Sequence, residues 1–342
     1  MIKNLIQQGF ILKTKGFYKH AIESFYKALE HDHSSIELLM EISECYFLMG
    51  DEKQALKYIE KILDKNPTHI ETLKLLKQIF INKKAWREAE ETTKNIFYIS
   101  NNQNDLLEVL KLLNMQSLYE KVLEYQVDDN NEILYERAFA CLHLNQLDEA
   151  ESVINKALEQ NYSTKNLLLK CKILYKMNKK DECVDLFKQI QIDKSNSDAL
   201  NFAGLVKQYE CEFKKALEYF IEATKISPHN SEYFYNCAST YFKMGEIQYA
   251  KKYYNLAISL DPENVNYHFA LANLYYSEKH YKRALEELNS ELFEARLLKS
   301  IILYDSGYLV IAKRELDKLA KEQPENELII NYQNLIKEEL SI

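Results

Sequence analysis

Between residues 198 and 273 asparagine recurs beside large aromatic rings: Asn201 with Phe202, Tyr235 with Asn236, and Asn266 with Phe269 and Asn273. A primary amide donates and accepts at once, so a row of them can hold an extended peptide backbone whatever its side chains. The rings supply contact area at a modest cost in side-chain entropy. A second set carries charge. Glu132, Tyr135, Glu136 and Phe139 form an acidic–aromatic group, and Lys165 and Lys172, with Leu168 and Leu169 between them, a basic–apolar one. Two partner segments of opposite sign, or one of alternating sign, would suit this pair. Both sets are chemistry of recognition. Covalent chemistry has no comparable signature: the chain contains no GxSxG, HExxH, GxGxxG or GxxxxGK[ST] pattern. His31 and His33 stand one residue apart, but two ligands do not make a zinc site. The six cysteines, at 45, 141, 171, 183, 211 and 237, lack CxxC spacing and read as small buried residues in a reducing compartment. Cys171 and Cys183 could form a redox pair, although small-residue packing explains both. No metal, cofactor or catalytic residue is expected.

What positions the two sets is a periodic framework. A small residue that opens a helical pattern recurs at Ala21, Ala55, Ala89, Ala150, Cys183, Ala216, Ala250, Ala284 and Ala312. Successive gaps are 34, 34, 61, 33, 33, 34, 34 and 28 residues, and the gap of 61 leaves room for one degenerate unit. If the small residue takes position 20, units begin near Ile2, Ile36, Ile70, Asn104 (degenerate), Asn131, Thr164, Ser197, Ser231, Val265 (short) and Phe293. Residues not used to choose this frame obey it. All four prolines (Pro67, Pro228, Pro262, Pro324) fall at position 32, and all six glycines at position 8 (Gly9, Gly204) or 15 (Gly16, Gly50, Gly245, Gly307). Each choice has a physical cause. Glycine accepts the positive φ of a tight interhelical turn, small residues at 8 and 20 let two helices cross closely, and proline ends the second helix. Asn230, Ser231 and Asn264 stand where they can cap the helix that follows.

This pattern resembles the tetratricopeptide repeat, a 34-residue helix–turn–helix unit, over nearly the whole chain. The family's large residue at position 24 is present as Phe25, Ile59, Ile154, Phe187, Phe220, Tyr254, Leu288 and Leu316; Thr93 departs. The tryptophan common at position 4 is replaced by leucine or Phe234. The resemblance implies an all-α, right-handed superhelical solenoid over residues 1–342, with a C-terminal capping helix at 327–342. Irregular stacking is expected around 104–130 and 265–292. Positions 2, 5, 6 and 9 of each first helix would then line up as a concave stripe. That stripe carries the amide–aromatic and charged sets named above, and resembles the asparagine-lined groove of some family members that bind extended chains. Replacing Asn201 and Asn236 by alanine is therefore expected to weaken a partner without lowering stability. Chaperone-binding members grip a carboxylate with lysine, asparagine and arginine at set positions. Here only Asn236 matches its place, so that clamp is not expected.

Composition agrees. Six glycines and four prolines in 342 residues compare with roughly 24 and 17 at average usage, which favours long helices and short turns. The net charge of −8 argues against a nucleic-acid ligand. Residues 104–163 alone hold 12 acidic and 4 basic side chains. No stretch approaches the ~20 apolar residues of a membrane span, and the N-terminus lacks the features of a signal peptide, so a cytoplasmic location is expected. The function these features imply is a non-catalytic scaffold binding a protein or extended peptide. The alternative is a peptide-sensing regulator whose superhelix changes pitch. With the first unit at Ile2, no room is expected for the DNA-binding domain such regulators usually carry.

Overall fold

The computed structural model describes residues 2–32, 35–125 and 130–340. His33 of the histidine pair, and Ser341 and Ile342 of the expected cap, lie outside the described residues. Contacts divide the chain into two compact units, residues 1–179 and 180–342. The first holds α1 (Ile2–Thr14), α2 (Tyr18–Leu29), α3 (Ile36–Leu48), α4 (Glu52–Lys65), α5 (Ile70–Asn82), α6 (Trp86–Ser100), α7 (Gln103–Met115), α8 (Tyr119–Glu124), α9 (Asn131–His143), α10 (Leu147–Gln160) and α11 (Thr164–Lys176). The second holds α12 (Lys180–Phe187), α13 (Ser197–Tyr209), α14 (Phe213–Ile226), α15 (Ser231–Lys243), α16 (Ile247–Leu260), α17 (Val265–Ser277), α18 (Tyr281–Glu287), α19 (Phe293–Asp305), α20 (Leu309–Glu322) and α21 (Glu327–Leu340). No strand occurs among the described residues.

Each first helix of a repeat (helix A) is 13 residues long and begins at the residue the periodicity predicts, with one exception. In the degenerate repeat α7 begins at Gln103 rather than Asn104, because Asn102 caps it by accepting from the Asn104 N–H at 2.9 Å. Shifted by one, Val122 takes the crossing position and is fully buried. That repeat is then 28 residues, as long as 265–292. Asn230 and Asn264 are caps as expected. Ser231 is instead the first helical residue, its hydroxyl 3.1 Å from that of Tyr267.

The turn between the two helices is the most uniform feature. Position 15 is left-handed in all ten repeats: φ is 79–82° at Gly16, Gly50, Gly245 and Gly307, and 57–63° at Lys84, Ser117, Asn145, Asn178, Cys211 and Lys279. The next N–H closes on the carbonyl five residues back, as from Phe17 to Leu12 and from Glu246 to Tyr241, both 2.9 Å. Six repeats hold this conformation without glycine, at about 1–2 kcal/mol each.

Packing explains the small residues. All ten position-20 residues, Val122 included, are fully buried. A Cβ on Gly204 would lie 2.5 Å from the Phe220 ring, and one on Gly9 2.4 Å from Phe25. In the repeat whose position 24 is only Thr93, position 8 is the long side chain of Lys77, itself 16% exposed; size is exchanged between the two positions.

Three second helices (helix B) are short: α8, α12 and α18 have 6, 8 and 7 residues, against 12 to 15 elsewhere. Two were expected. In α18 the cause is local, since the position filled by buried Ala223 and Ala257 in full helices is the exposed Glu291 here. The short α12 was not foreseen, because its repeat has an almost normal length. Its missing turns are replaced by a segment that leaves the helix after Phe187 and brings Ile192 against Leu200, Ala223 and Tyr233.

Candidate partner-binding surface

The amide–aromatic stripe belongs to α13, α15 and α17. Asn201 and Asn236 are each only 7% exposed. Asn236 Nδ2 donates to Asn201 Oδ1 at 2.8 Å, and Asn201 Nδ2 donates to Glu232 Oε1 at 3.4 Å. Two neighbouring A helices are thus joined by a relay of amides. Gln208 Nε2 extends the same junction to Thr240 Oγ1 at 2.8 Å. Phe202 is buried, its ring edge-on to Phe187 at 6.0 Å. Tyr235 is half-buried and stacks on Tyr267 at 5.1 Å. Burial, with Tyr267 beside it, raises its phenol pKa further above neutrality, so it acts as a neutral hydrogen-bonding group. Phe269 and Asn273 are half-buried and linked, Asn273 Nδ2 donating to the Phe269 carbonyl at 3.1 Å, while Asn266 is exposed. The seven residues therefore separate into two roles. Asn201, Phe202 and Asn236 brace repeat against repeat, and Tyr235, Asn266, Phe269 and Asn273 remain within reach of solvent.

This changes what the double alanine replacement should do. Removing two buried, mutually bonded amides lowers stability, so the expectation of unchanged stability is replaced by one of loss.

The charged stripe lies on α9 and α11, and its two signs meet each other. Glu136 is 8% exposed, and accepts from Asn114 Nδ2 at 2.8 Å. Lys165 Nζ lies 3.8 Å from its other oxygen and 3.7 Å from the centre of the Tyr135 ring. Glu132 reaches back to Lys111 of the preceding repeat at 3.5 Å. Tyr135 and Phe139 lie side by side, and His143 packs on Phe139 at 4.4 Å and on Tyr119 at 4.7 Å. This packing strips water from the imidazole, and Lys176 and half-buried Lys172 repel a proton from it, so its pKa falls below the ordinary value. Asn114 Oδ1 is buried and accepts no hydrogen bond.

The braces obey a rule that the sequence frame contained but did not reveal. Position 3 bonds to position 1 of the repeat before it: Asn166 to Asn131 at 2.8 Å, Tyr233 to Ser197 at 3.3 Å, and Tyr267 with Ser231. Position 12 reaches the next repeat, as Lys13 does to Glu41 at 2.6 Å and Asn114 to Glu136. Polar residues 35 or 36 apart for the first kind of brace, and 22 to 28 apart for the second, were the available signal. A further feature is a cleft of 660 Å³ where α18 stops short, lined by Arg296, Lys299, Lys318 and Glu291. Arg296 is held there by Glu322 and Lys318 by Glu315. Among the described residues no group of three or more His, Cys, Asp or Glu is placed to hold a metal. No helix among them is long and apolar enough to cross a membrane.

Family models match three parts of the chain. The model for anaphase-promoting complex (cyclosome) subunit 3 covers residues 14–96, and tetratricopeptide-repeat models cover 132–164 and 231–264. The last two coincide with repeats in the frame above. The chain is a tetratricopeptide-repeat protein. This tetratricopeptide-repeat chain is 24% identical over 333 residues to the TPR repeat-containing protein MJ1428 of Methanocaldococcus jannaschii, covering 84% of itself and 57% of that protein. It is 24% identical over 197 residues to a DnaJ homolog subfamily C member 3 homolog of Dictyostelium discoideum, covering 57% of itself and 37% of that protein. It therefore spans little more than half the length of one curated relative and little more than a third of the other. Among solved structures, the APC/C hetero-tetramer Cut9–Hcn1 shares the fold with a TM-score of 0.60 at 12% identity, over 97% of this chain and 75% of that one. Proteins of this repeat family are typically interaction scaffolds.

Proposed function

We propose that this protein is a non-catalytic scaffold, working in the cytoplasm, that holds an extended peptide or an extended segment of a partner protein along the helix-A stripe of α13, α15 and α17. The observation that carries the reading is the division of labour in that stripe. The Asn236–Asn201–Glu232 relay sets the spacing of neighbouring A helices, while Tyr235, Asn266, Phe269 and Asn273 keep amides and ring faces open to solvent. A partner's backbone would exchange hydrogen bonds with Asn266 and Asn273, and its side chains would lie on Tyr235 and Phe269. Little ordering entropy remains to be lost, because the wall is already braced. A separate partner segment on α9 and α11 would meet exposed Glu132 and half-buried Lys172, since Glu136 and Lys165 already satisfy one another. Nucleic acid and membrane insertion have no part in this reading.

The test is affinity capture with mass spectrometry from the native host, using the natural chain and an Asn266→Ala, Phe269→Ala, Asn273→Ala variant. Loss of the same captured proteins, with thermal unfolding little changed, is the expected result. Capture of the same set by both would remove this stripe from consideration.

A further inference from the structure

Counted from the start of helix A, positions 18 and 19 lie in the first turn of helix B. They are exposed in all ten repeats, half-buried Gln54 alone excepted. Nine repeats fill them with polar or aromatic residues, such as Lys19 with His20, Arg87 with Glu88, and Lys282 with Arg283. Each of those nine is followed by another repeat, so openness to water belongs to the position itself. The repeat that begins at Phe293 departs. It places Val310 and Ile311 there, 72% and 51% exposed, beside Tyr308 at 56%. A single exposed aliphatic residue needs no explanation, but three large apolar neighbours mark a surface that something else covers.

The surroundings say what that is. Ile311 shares with half-buried Leu303 and buried Leu288 the 660 Å³ cleft where α18 stops short. Two other repeats follow a short helix B, and both put charge at positions 18 and 19: Asp148 with Glu149 after α8, and Lys214 with Lys215 after α12. Glu149 is answered by Arg137 at 3.6 Å, and Lys215 by Glu212. Of the three, only the pair after α18 is aliphatic. The charge left over beside it is positive. Arg296 and Lys318 are held by Glu322 and Glu315. Lys299, in the cleft, and Arg314, one helical turn after Ile311, are exposed and enter no ion pair among the described residues. We propose that the cleft and the Val310–Ile311 step form a second docking site, for a partner segment that carries large apolar side chains beside carboxylates. The apolar side chains would lie on Tyr308, Val310 and Ile311, and the carboxylates would reach Lys299 and Arg314. Glu291 and Glu315, in the same cleft, repel the uniform negative charge of an anionic lipid surface, which favours the peptide. The site lies on helix B and is separate from the helix-A stripe.

Random-peptide phage display on the full chain tests this. Peptides are kept that bind the natural chain but not a Val310→Ser, Ile311→Ser form. Both positions are exposed, and unchanged thermal unfolding checks the fold of that form. The kept peptides should be rich in leucine, isoleucine or phenylalanine next to aspartate or glutamate. The best of them, labelled and followed by fluorescence anisotropy, should lose about tenfold in affinity for a Lys299→Glu, Arg314→Glu form. Its binding to the natural chain should weaken as salt is added. The Asn266→Ala, Phe269→Ala, Asn273→Ala form should bind it unchanged, which separates this site from the helix-A stripe. A selection that leaves no peptide, or leaves peptides without carboxylates, would overturn the proposal. So would vesicles of phosphatidylcholine and phosphatidylglycerol that cosediment with the natural chain but not with the Val310→Ser, Ile311→Ser form.

Discussion

The two 28-residue repeats, 103–130 and 265–292, lack the same part of helix B, and each fastens the remaining stub with a histidine. In the first, Tyr119 at the start of α8 stacks on His143. In the second, Glu287 at the end of α18 bonds to His268 Nδ1 at 2.7 Å, while Nε2 lies 3.0 Å from the Pro262 carbonyl. Partial burial alone would lower the His268 pKa, but the Glu287 hydrogen bond, the Pro262 carbonyl and the charges of Glu287 and Glu263 raise it above the ordinary value. His143 is shifted the other way. The same deletion is therefore repaired by a stacked ring whose pKa is lowered in one unit and by a hydrogen-bonded ring whose pKa is raised in the other. A shortened helix needs a local clamp, but the clamp's chemistry is set by what the neighbouring repeats place beside it.

The yardstick for breaking this comparison is a regular repeat. Gly204→Ala forces a Cβ into the Phe220 ring and should cost about 1–3 kcal/mol; Phe220→Leu in the same chain should recover most of it in urea unfolding. Next comes His268→Gln, which loses the charged bond to Glu287. Both side chains are partly exposed, so a loss of about 1–2 kcal/mol is expected, read as faster amide exchange confined to α18 and its neighbours. The pH dependence should separate the two clamps. His268, with its pKa raised, contributes stability that is complete below the unfolded value of about 6.5 and lost as pH climbs through the folded value. His143, with its pKa lowered, contributes stability that is complete above about 6.5 and lost as pH falls. Exchange in α8 and α18 should therefore respond to pH with opposite sign; a common response would show that the histidines are not the clamps. The smallest effect is a gain. Ser117→Gly and Lys279→Gly relieve left-handed turns in the two short repeats, and each should add about 0.5–1 kcal/mol.

The start residues of nine A helices were legible because helix, turn and crossing impose steric demands on residue type at fixed spacing. Gly245, Ala250, Ala257 and Pro262 each answer one such demand. The short α18 was legible from the 28 residues between Ala284 and Ala312, which leave too little chain for a full second helix and its loop. The short α12 was not, since Ile192 serves a core as well from an extended segment as from a helix.

The candidate stripe was legible as a set of residues but not as a set of roles. Asn201 and Asn266 are the same residue type on corresponding faces, yet one is buried in a relay and the other is open. Glu136 and Lys165 read as two patches for a partner and turn out to be neighbours of each other.

By itself the sequence determined nine of the ten repeat starts, the four glycine turns and the close helix crossings, because those are local steric requirements met by few residue types. Only the tertiary structure decided which polar groups satisfy one another. Hydrogen bonds and ion pairs act over a few ångströms between side chains some 35 residues apart, and the placement of one helix on the next settles whether an amide faces a neighbour or water.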